Sequence, residues 1–164
     1  MIEFIEAGQK HIPTIADIAE RTWAKTYTEI LSSEQIRFML DAMYSGPALA
    51  EAMRINTQKF LILKDNGLEQ GFVSFAVPEK SPGMCKIHKL YVLPDNQGKG
   101  YGRMLIEEVK KRGQAAGATM LELNVNRYNP ARYFYEKLGF QIAREEDIPI
   151  GPYWMNDYVM RLKI

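Results

Sequence analysis

The sequence predicts a mixed α/β fold in one domain over residues 1–164, with a central sheet of about six to seven strands flanked by about four to five helices. Three observations predict it. Residues 59–93 read as consecutive strands joined by tight turns, which makes the first half of the sheet antiparallel. A strand, a glycine-dense turn, a helix and a second strand follow over residues 84–125, an order that makes the sheet parallel at the glycine motif, with a right-handed crossover. Before residue 56, apolar residues recur at helical rather than strand spacing.

In chain order, residues 2–6 alternate as a half-buried strand. Pro13 sits where a first helical turn tolerates it, and Ile15, Ile18, Ala19 and Thr22 mark the apolar face of a helix over 11–25. Ser32 and Gln35 have capping-box spacing ahead of Ile36, Met39, Leu40 and Met43, so a second helix runs to Ser45-Gly46; Pro47 restarts a third over 48–55. Residues 59–64 and 70–77 flank Asp65-Asn66-Gly67, a strong hairpin signal, and 84–93 is the next strand. A helix over 101–116 stops at Gly117, and 119–125 returns as a strand. Residues 129–137 form a short helix closed by Gly139. Two further strands, 140–144 and 153–162, leave Glu145-Glu146-Asp147 as a solvated turn that could attract a cation.

Composition excludes several classes. Lys and Arg number 21 against 20 acidic residues, a net charge of +1, which provides no field for nucleic acid or an anionic membrane. No apolar run reaches membrane-spanning length, and the N-terminus lacks a basic, then apolar, leader pattern. Cys85 is the lone cysteine, so neither a disulfide framework nor a metal site is expected, and a reducing cytoplasm is the expected compartment.

The chain is organised around Leu90-Tyr91-Val92-Leu93-Pro94-Asp95-Asn96-Gln97-Gly98-Lys99-Gly100-Tyr101-Gly102-Arg103, where a strand runs through glycines into a helix. Glycine admits close backbone approach and positive φ, and the free N–H groups of a first helical turn attract phosphate. A Walker A loop fails because Gly100 follows Gly98-Lys99 where Ser or Thr is needed. A dinucleotide fingerprint from Gly98 fails because Arg103 stands where a glycine is required. What remains is Gln-x-x-Gly-x-Gly at Gln97, Gly100 and Gly102, against a plain helix-starting turn as the simpler reading.

This motif resembles the pyrophosphate-binding signature of the GNAT superfamily of acyl-CoA-dependent N-acyltransferases. Asn129-Pro130-Ala131-Arg132-Tyr133-Phe134-Tyr135-Glu136-Lys137-Leu138-Gly139-Phe140 resembles a second segment of that superfamily, in the expected order. The resemblance covers roughly residues 84 to 142 and implies a GNAT-like fold with acetyl-CoA as cosubstrate. In such a fold the strands ending at Val92 and Val125 splay, commonly with a bulge, and the pantetheine arm pairs with backbone at Leu90, Tyr91 and Val92. The pyrophosphate then falls on Gln97, Gly98, Lys99, Gly100, Tyr101, Gly102 and Arg103, with Lys99 and Arg103 as cationic donors.

Acetyl transfer to an amine needs a neutral amine, a stabilised oxyanion and a proton for the departing thiolate. By resemblance Tyr135 lies beside the coenzyme sulfur, and its phenol suits the acid role. His88 is the candidate base. Counted by twos, Lys86, His88, Leu90 and Val92 share one face unless a bulge intervenes, and arylalkylamine acetyltransferases are similar in carrying histidine on this strand. Other members use a glutamate where this chain has Asn124, so Glu122, of the same parity, is held in reserve. Cys85 has the opposite parity to His88, against an acyl-cysteine. The superfamily's asparagine seven residues before the tyrosine is here Tyr128, and Asn129, one residue late, is carried over as the coenzyme contact.

The acceptor pocket is expected from Tyr27, Glu29 and Trp154, which lie in loops or beside turns. The expected activity is direct attack of a small-molecule or peptide amine on acetyl-CoA. Rival readings are a longer acyl donor, a protein amine acceptor, or a coenzyme A-binding sensor without turnover. No nucleic-acid or membrane partner is expected, and a homodimer is compatible with the sequence.

Overall fold

The computed structural model describes residues 1–55 and 58–164. Among these, β1 (Ile2–Glu6), β2 (Lys59–Asp65), β3 (Leu68–Ala76), β4 (Met84–Val92), β5 (Met120–Asn126), β6 (Gln141–Ile150) and β7 (Tyr153–Lys163) form one 7-stranded sheet in the order β1-β2-β3-β4-β5-β7-β6. β4 and β5 run parallel, and the other neighbouring pairs are antiparallel. The helices are α1 (Ile12–Thr26), α2 (Ser33–Tyr44), α3 (Gly46–Arg54), α4 (Tyr101–Ala115) and α5 (Ala131–Lys137).

Strand alternation builds a core on each face of the sheet. On β2, Phe60 and Ile62 join Ile15, Trp23, Met39 and Leu49 under α1–α3, while Leu61 and Leu63 join Leu105, Val109 and Phe140 under α4 and α5. Burying each such side chain stabilises by about 1.5–3 kcal/mol. Cys85 is wholly buried against α4, where a Cβ at Gly113 would lie 3.3 Å from its sulfur, and burial pushes its thiol up to about 11. It is a packing residue.

Turn chemistry agrees with the sequence. Asn66 and Gly67 adopt φ of 51° and 81°, the pair of positive values that a two-residue hairpin needs. Ser32 caps α2 by accepting from the Gln35 N–H at 3.1 Å, but the box is only half made: Gln35 Nε2 instead donates to the Trp154 carbonyl at 2.9 Å. That bond ties α2 to the β6–β7 hairpin.

One segment differs from expectation. Glu145-Glu146-Asp147 is part of β6 rather than a turn, because pairing with β7 continues from Gln141 to Ile150. Its charges are also partly paired: Arg127 reaches Glu145 at 3.8 Å and Asp147 at 2.6 Å, and Arg144 reaches Glu146 at 3.3 Å.

Candidate active site

The site begins with a bulge. Ser74 lies opposite Lys89 and Phe75 opposite Ile87, so His88 has no partner on β3. One extra residue reverses side-chain parity along β4. Ile87 and, beyond the bulge, Leu90 and Val92 face the α4 side, whereas Lys86 bonds to Glu122 and Asn124 on the other. The expectation that Lys86, His88, Leu90 and Val92 share a face is thereby corrected.

The same irregularity opens the sheet. β4 pairs with β5 only from Met84–Ile87 to Met120–Leu123, although β4 continues to Val92 and β5 to Asn126. Beyond that point the facing edges diverge. A cavity of about 930 Å³ fills the gap and is lined from both faces of the sheet. That size suits a ligand pocket.

At one end lies the glycine turn. Gly98 and Gly100 take φ of 82° and 88°, and a Cβ at either would meet no atom within 4 Å. Gly100 is the N-cap of α4, so the free N–H groups and positive end of a 15-residue helix face this space. The bulged Gln70 of β3 fixes the turn: its carbonyl accepts from the Leu93 N–H at 2.9 Å, and its Oε1 accepts from Asn96 Nδ2 at 2.6 Å. Gln97 Nε2 donates to the Val92 carbonyl at 3.2 Å.

Most expected contacts line the cavity: Leu90, Tyr91 and Val92 on β4, Gln97, Gly98, Gly100, Tyr101, Gly102 and Arg103 around the turn, and Asn129. Two expected residues, Lys99 and Trp154, do not. Lys99 is not a lining residue; its exposed ammonium donates to Asn96 Oδ1, on the cavity wall, at 2.9 Å. Gly102 serves packing as well, since a Cβ there would lie 3.1 Å from the Phe134 ring. Trp154 stands 56% exposed near the β6–β7 turn, away from the cavity; the pairing of β6 with β7 carries it there. Tyr101 also turns its hydroxyl aside, donating to Asp65 at 2.8 Å.

Tyr135 projects from α5 into the gap, 7% exposed and wedged against Phe134 and Phe140. Its hydroxyl has no hydrogen bond among the described residues. Burial, then proximity to Tyr91, holds the phenol well above its ordinary value, so it keeps its proton. Asn129 lines the cavity: its Oδ1 accepts from the Ala131 N–H at 2.9 Å at the start of α5, and its Nδ2 donates to the Tyr27 hydroxyl at 3.3 Å. It thus joins α5 to α1 at the cavity wall. Tyr128, 72% exposed, sits at the rim.

The opposite end of the cavity takes Lys25, Thr26, Tyr27 and Glu29 from the end of α1 and the turn after it, with His88, Lys89 and Asn124. His88 reaches solvent at the mouth, yet burial on its other sides, with Lys89 and Lys86 nearby, lowers it to about 4. It is neutral at physiological pH. Glu122 is a poor base: burial opposes its charge, but the bond from Arg161 at 2.8 Å and the charge of Lys86 outweigh burial and hold it low. Asp157, 6% exposed, stands behind Asn124, which donates to its Oδ2 at 3.3 Å, and burial raises it. Asp157 and Lys89 escaped the sequence reading. An acid alternating with Met155 and Val159 on a strand was the available signal for Asp157.

A family model for the acetyltransferase (GNAT) domain matches residues 56–142, more than half of the chain. The chain belongs to this GNAT family. The GNAT domain is 29% identical over 147 residues to an uncharacterised N-acetyltransferase of Mycobacterium tuberculosis, covering 89% of this chain and 93% of that one. It is 24% identical over 164 residues to a spermidine N(1)-acetyltransferase of Thermoplasma acidophilum, covering 99% and 97%. A crystal structure of the PaiA N-acetyltransferase from the same organism, in complex with coenzyme A, superposes with a TM-score of 0.83 at 25% identity over 100% and 99% of the two chains. Fold and family are those of acetyl-CoA-dependent acyltransferases. The residues fit that coenzyme: open space at Gly98 and Gly100 matches a diphosphate at a helix N-terminus, and unpaired β4 backbone borders a gap wide enough for an extended arm.

Proposed function

We propose that this GNAT domain transfers the acetyl group of acetyl-CoA to a primary amine of a small molecule or peptide, by direct attack on the thioester. The observation that carries this reading is the Tyr135 hydroxyl, without a hydrogen-bond partner among the described residues and lining the same gap as the glycine turn. The thioester supplies an acyl carbon activated towards nucleophiles. The protein's part is to hold the two reactants in line and to manage protons.

The acceptor enters from the end bordered by Thr26, Tyr27, Glu29 and His88. The neutral His88 imidazole accepts a hydrogen bond from the incoming ammonium and relays a proton to solvent at the mouth, where it is exposed. The amine then attacks the acyl carbon. As the C–S bond breaks, Tyr135 donates to the sulfur and is reprotonated from the nitrogen that has become an amide. A phenol whose proton is held this firmly donates only when that replacement is at hand.

The test is free-thiol release from acetyl-CoA with a panel of polyamines, amino acids, aromatic amines and peptides; polyamines are included because of the activity named for the Thermoplasma relative. Tyr135→Phe should lower kcat about 100-fold or more while leaving coenzyme affinity within about twofold. An unchanged kcat removes Tyr135 from the mechanism, and coenzyme binding without release from any amine supports the sensor reading instead.

A further inference from the structure

Lys89 is a half-buried cation on the cavity wall with no acidic partner among the described residues. Its ammonium donates to Gln58 Oε1 at 2.8 Å, and Gln58 is held in turn by the Ser74 hydroxyl at 2.9 Å. It also lies over the rings of Tyr44 and Phe60, 5.6 and 5.7 Å from their centroids. Rings and an amide oxygen fix its position without neutralising it, and an ammonium has three donors. A buried charge left unneutralised is costly unless a ligand completes it. Nearby Lys86 differs, because Glu122 already pairs with it at 3.3 Å.

We propose that Lys89 binds an anionic group of the acceptor, so that the preferred substrate is an amine carrying a carboxylate rather than a polyamine. The inference rests on the acetyltransferase reading above and names the substrate class for that site. The charges at this end of the cavity agree with it. Among the described residues lining this end, Lys25 and Lys89 stand against the acid Glu29, with Asp157 set behind Asn124, while His88, Tyr27 and Tyr91 are held neutral, His88 below and the tyrosines above their ordinary values. A polycation would enter against two lysines. A carboxylate entering beside Lys89 neutralises the charge that burial opposes.

A pH dependence follows. Burial lowers Lys89 to about 8, so it is cationic below that pH and loses its charge above it. KM for a carboxylate-bearing amine should therefore rise as pH increases through about 8, whereas KM for the matched amine without a carboxylate should not.

The experiment compares kcat/KM for pairs differing by one carboxylate, such as ornithine against putrescine and phenylalanine against phenethylamine, with spermidine and an acidic dipeptide as further arms. The wild-type enzyme should favour the carboxylate-bearing partner by about 10–100-fold, the effect of one charge-assisted hydrogen bond. Lys89→Met, which keeps the stem and removes the charge, should abolish the preference. Lys89→Arg should keep it and lose the limb near 8, because guanidinium does not titrate there. Equal or better use of putrescine and spermidine, or a preference untouched in Lys89→Met, overturns the inference and leaves the acetyltransferase reading intact. If Lys89→Met fails to fold, a preference unchanged in Lys89→Arg together with the lost limb supports it, and a limb that persists in Lys89→Arg overturns it. Thiol release from no amine at all overturns both.

Discussion

At the scale of single residues, the glycines of the turn separate by what surrounds them. Gly98 and Gly100 combine positive φ with open space, whereas Gly102 has ordinary φ and a close aromatic neighbour. Side chains at the first two positions would pay backbone strain of about 1–2 kcal/mol and occupy the diphosphate space. Gly100→Val should therefore lower coenzyme affinity about 100-fold or more by calorimetry. Gly102→Val should lower the Tm first, by displacing Phe134. Equal affinity in Gly100→Val and the wild type would mean the diphosphate binds elsewhere. Lys99, a candidate donor by its place in the motif, is exposed beside the cavity and gives one of its three donors to the neighbouring Asn96 amide.

At the scale of elements, the decisive feature is how β3 shapes β4. Gly71 lies opposite Val92, and a Cβ there would stand 2.5 Å from the Tyr91 carbonyl oxygen. A backbone atom cannot yield as a flexible side chain can. Gly71→Ala should cost about 1–3 kcal/mol of stability in chemical denaturation, from the forced shift of β4. It should also weaken coenzyme binding, since Leu90–Val92 border the gap. An alanine variant with unchanged stability would show that β4 has freedom the packing does not suggest. The neighbouring bulge at Gln70 works in the same direction by anchoring Leu93 and Asn96. Local patterns made the strands and helices legible, because alternation, caps and the Asn66-Gly67 hairpin are short-range signals. The two bulges were not, since nothing in a strand's own residues marks the partner against which it gains one. For that reason the parity assigned to His88 and Lys86 was reversed beyond the bulge.

At the scale of the whole molecule, two apolar cores share one sheet, and the gap between β4 and β5 joins their faces. The cavity is lined from α4 and α5 on one side and from the end of α1 on the other, so under the proposed function the two reactants meet where the strands part. The cavity lining around the glycine turn was legible because it is nearly contiguous, from Leu90 to Arg103 with Tyr135 in a second motif. The acceptor half draws single residues from distant elements. Lys25, Lys89 and Asn124 assemble only through packing, and Trp154 was misplaced because β6 and β7 pair far beyond the expected turn. The most direct measurement is a crystal structure with coenzyme A bound. The diphosphate should lie within about 3 Å of the main-chain N–H groups between residues 97 and 103, with the sulfur within hydrogen-bond reach of the Tyr135 hydroxyl. A diphosphate bound away from that turn, or a sulfur far from Tyr135, would contradict the proposed chemistry.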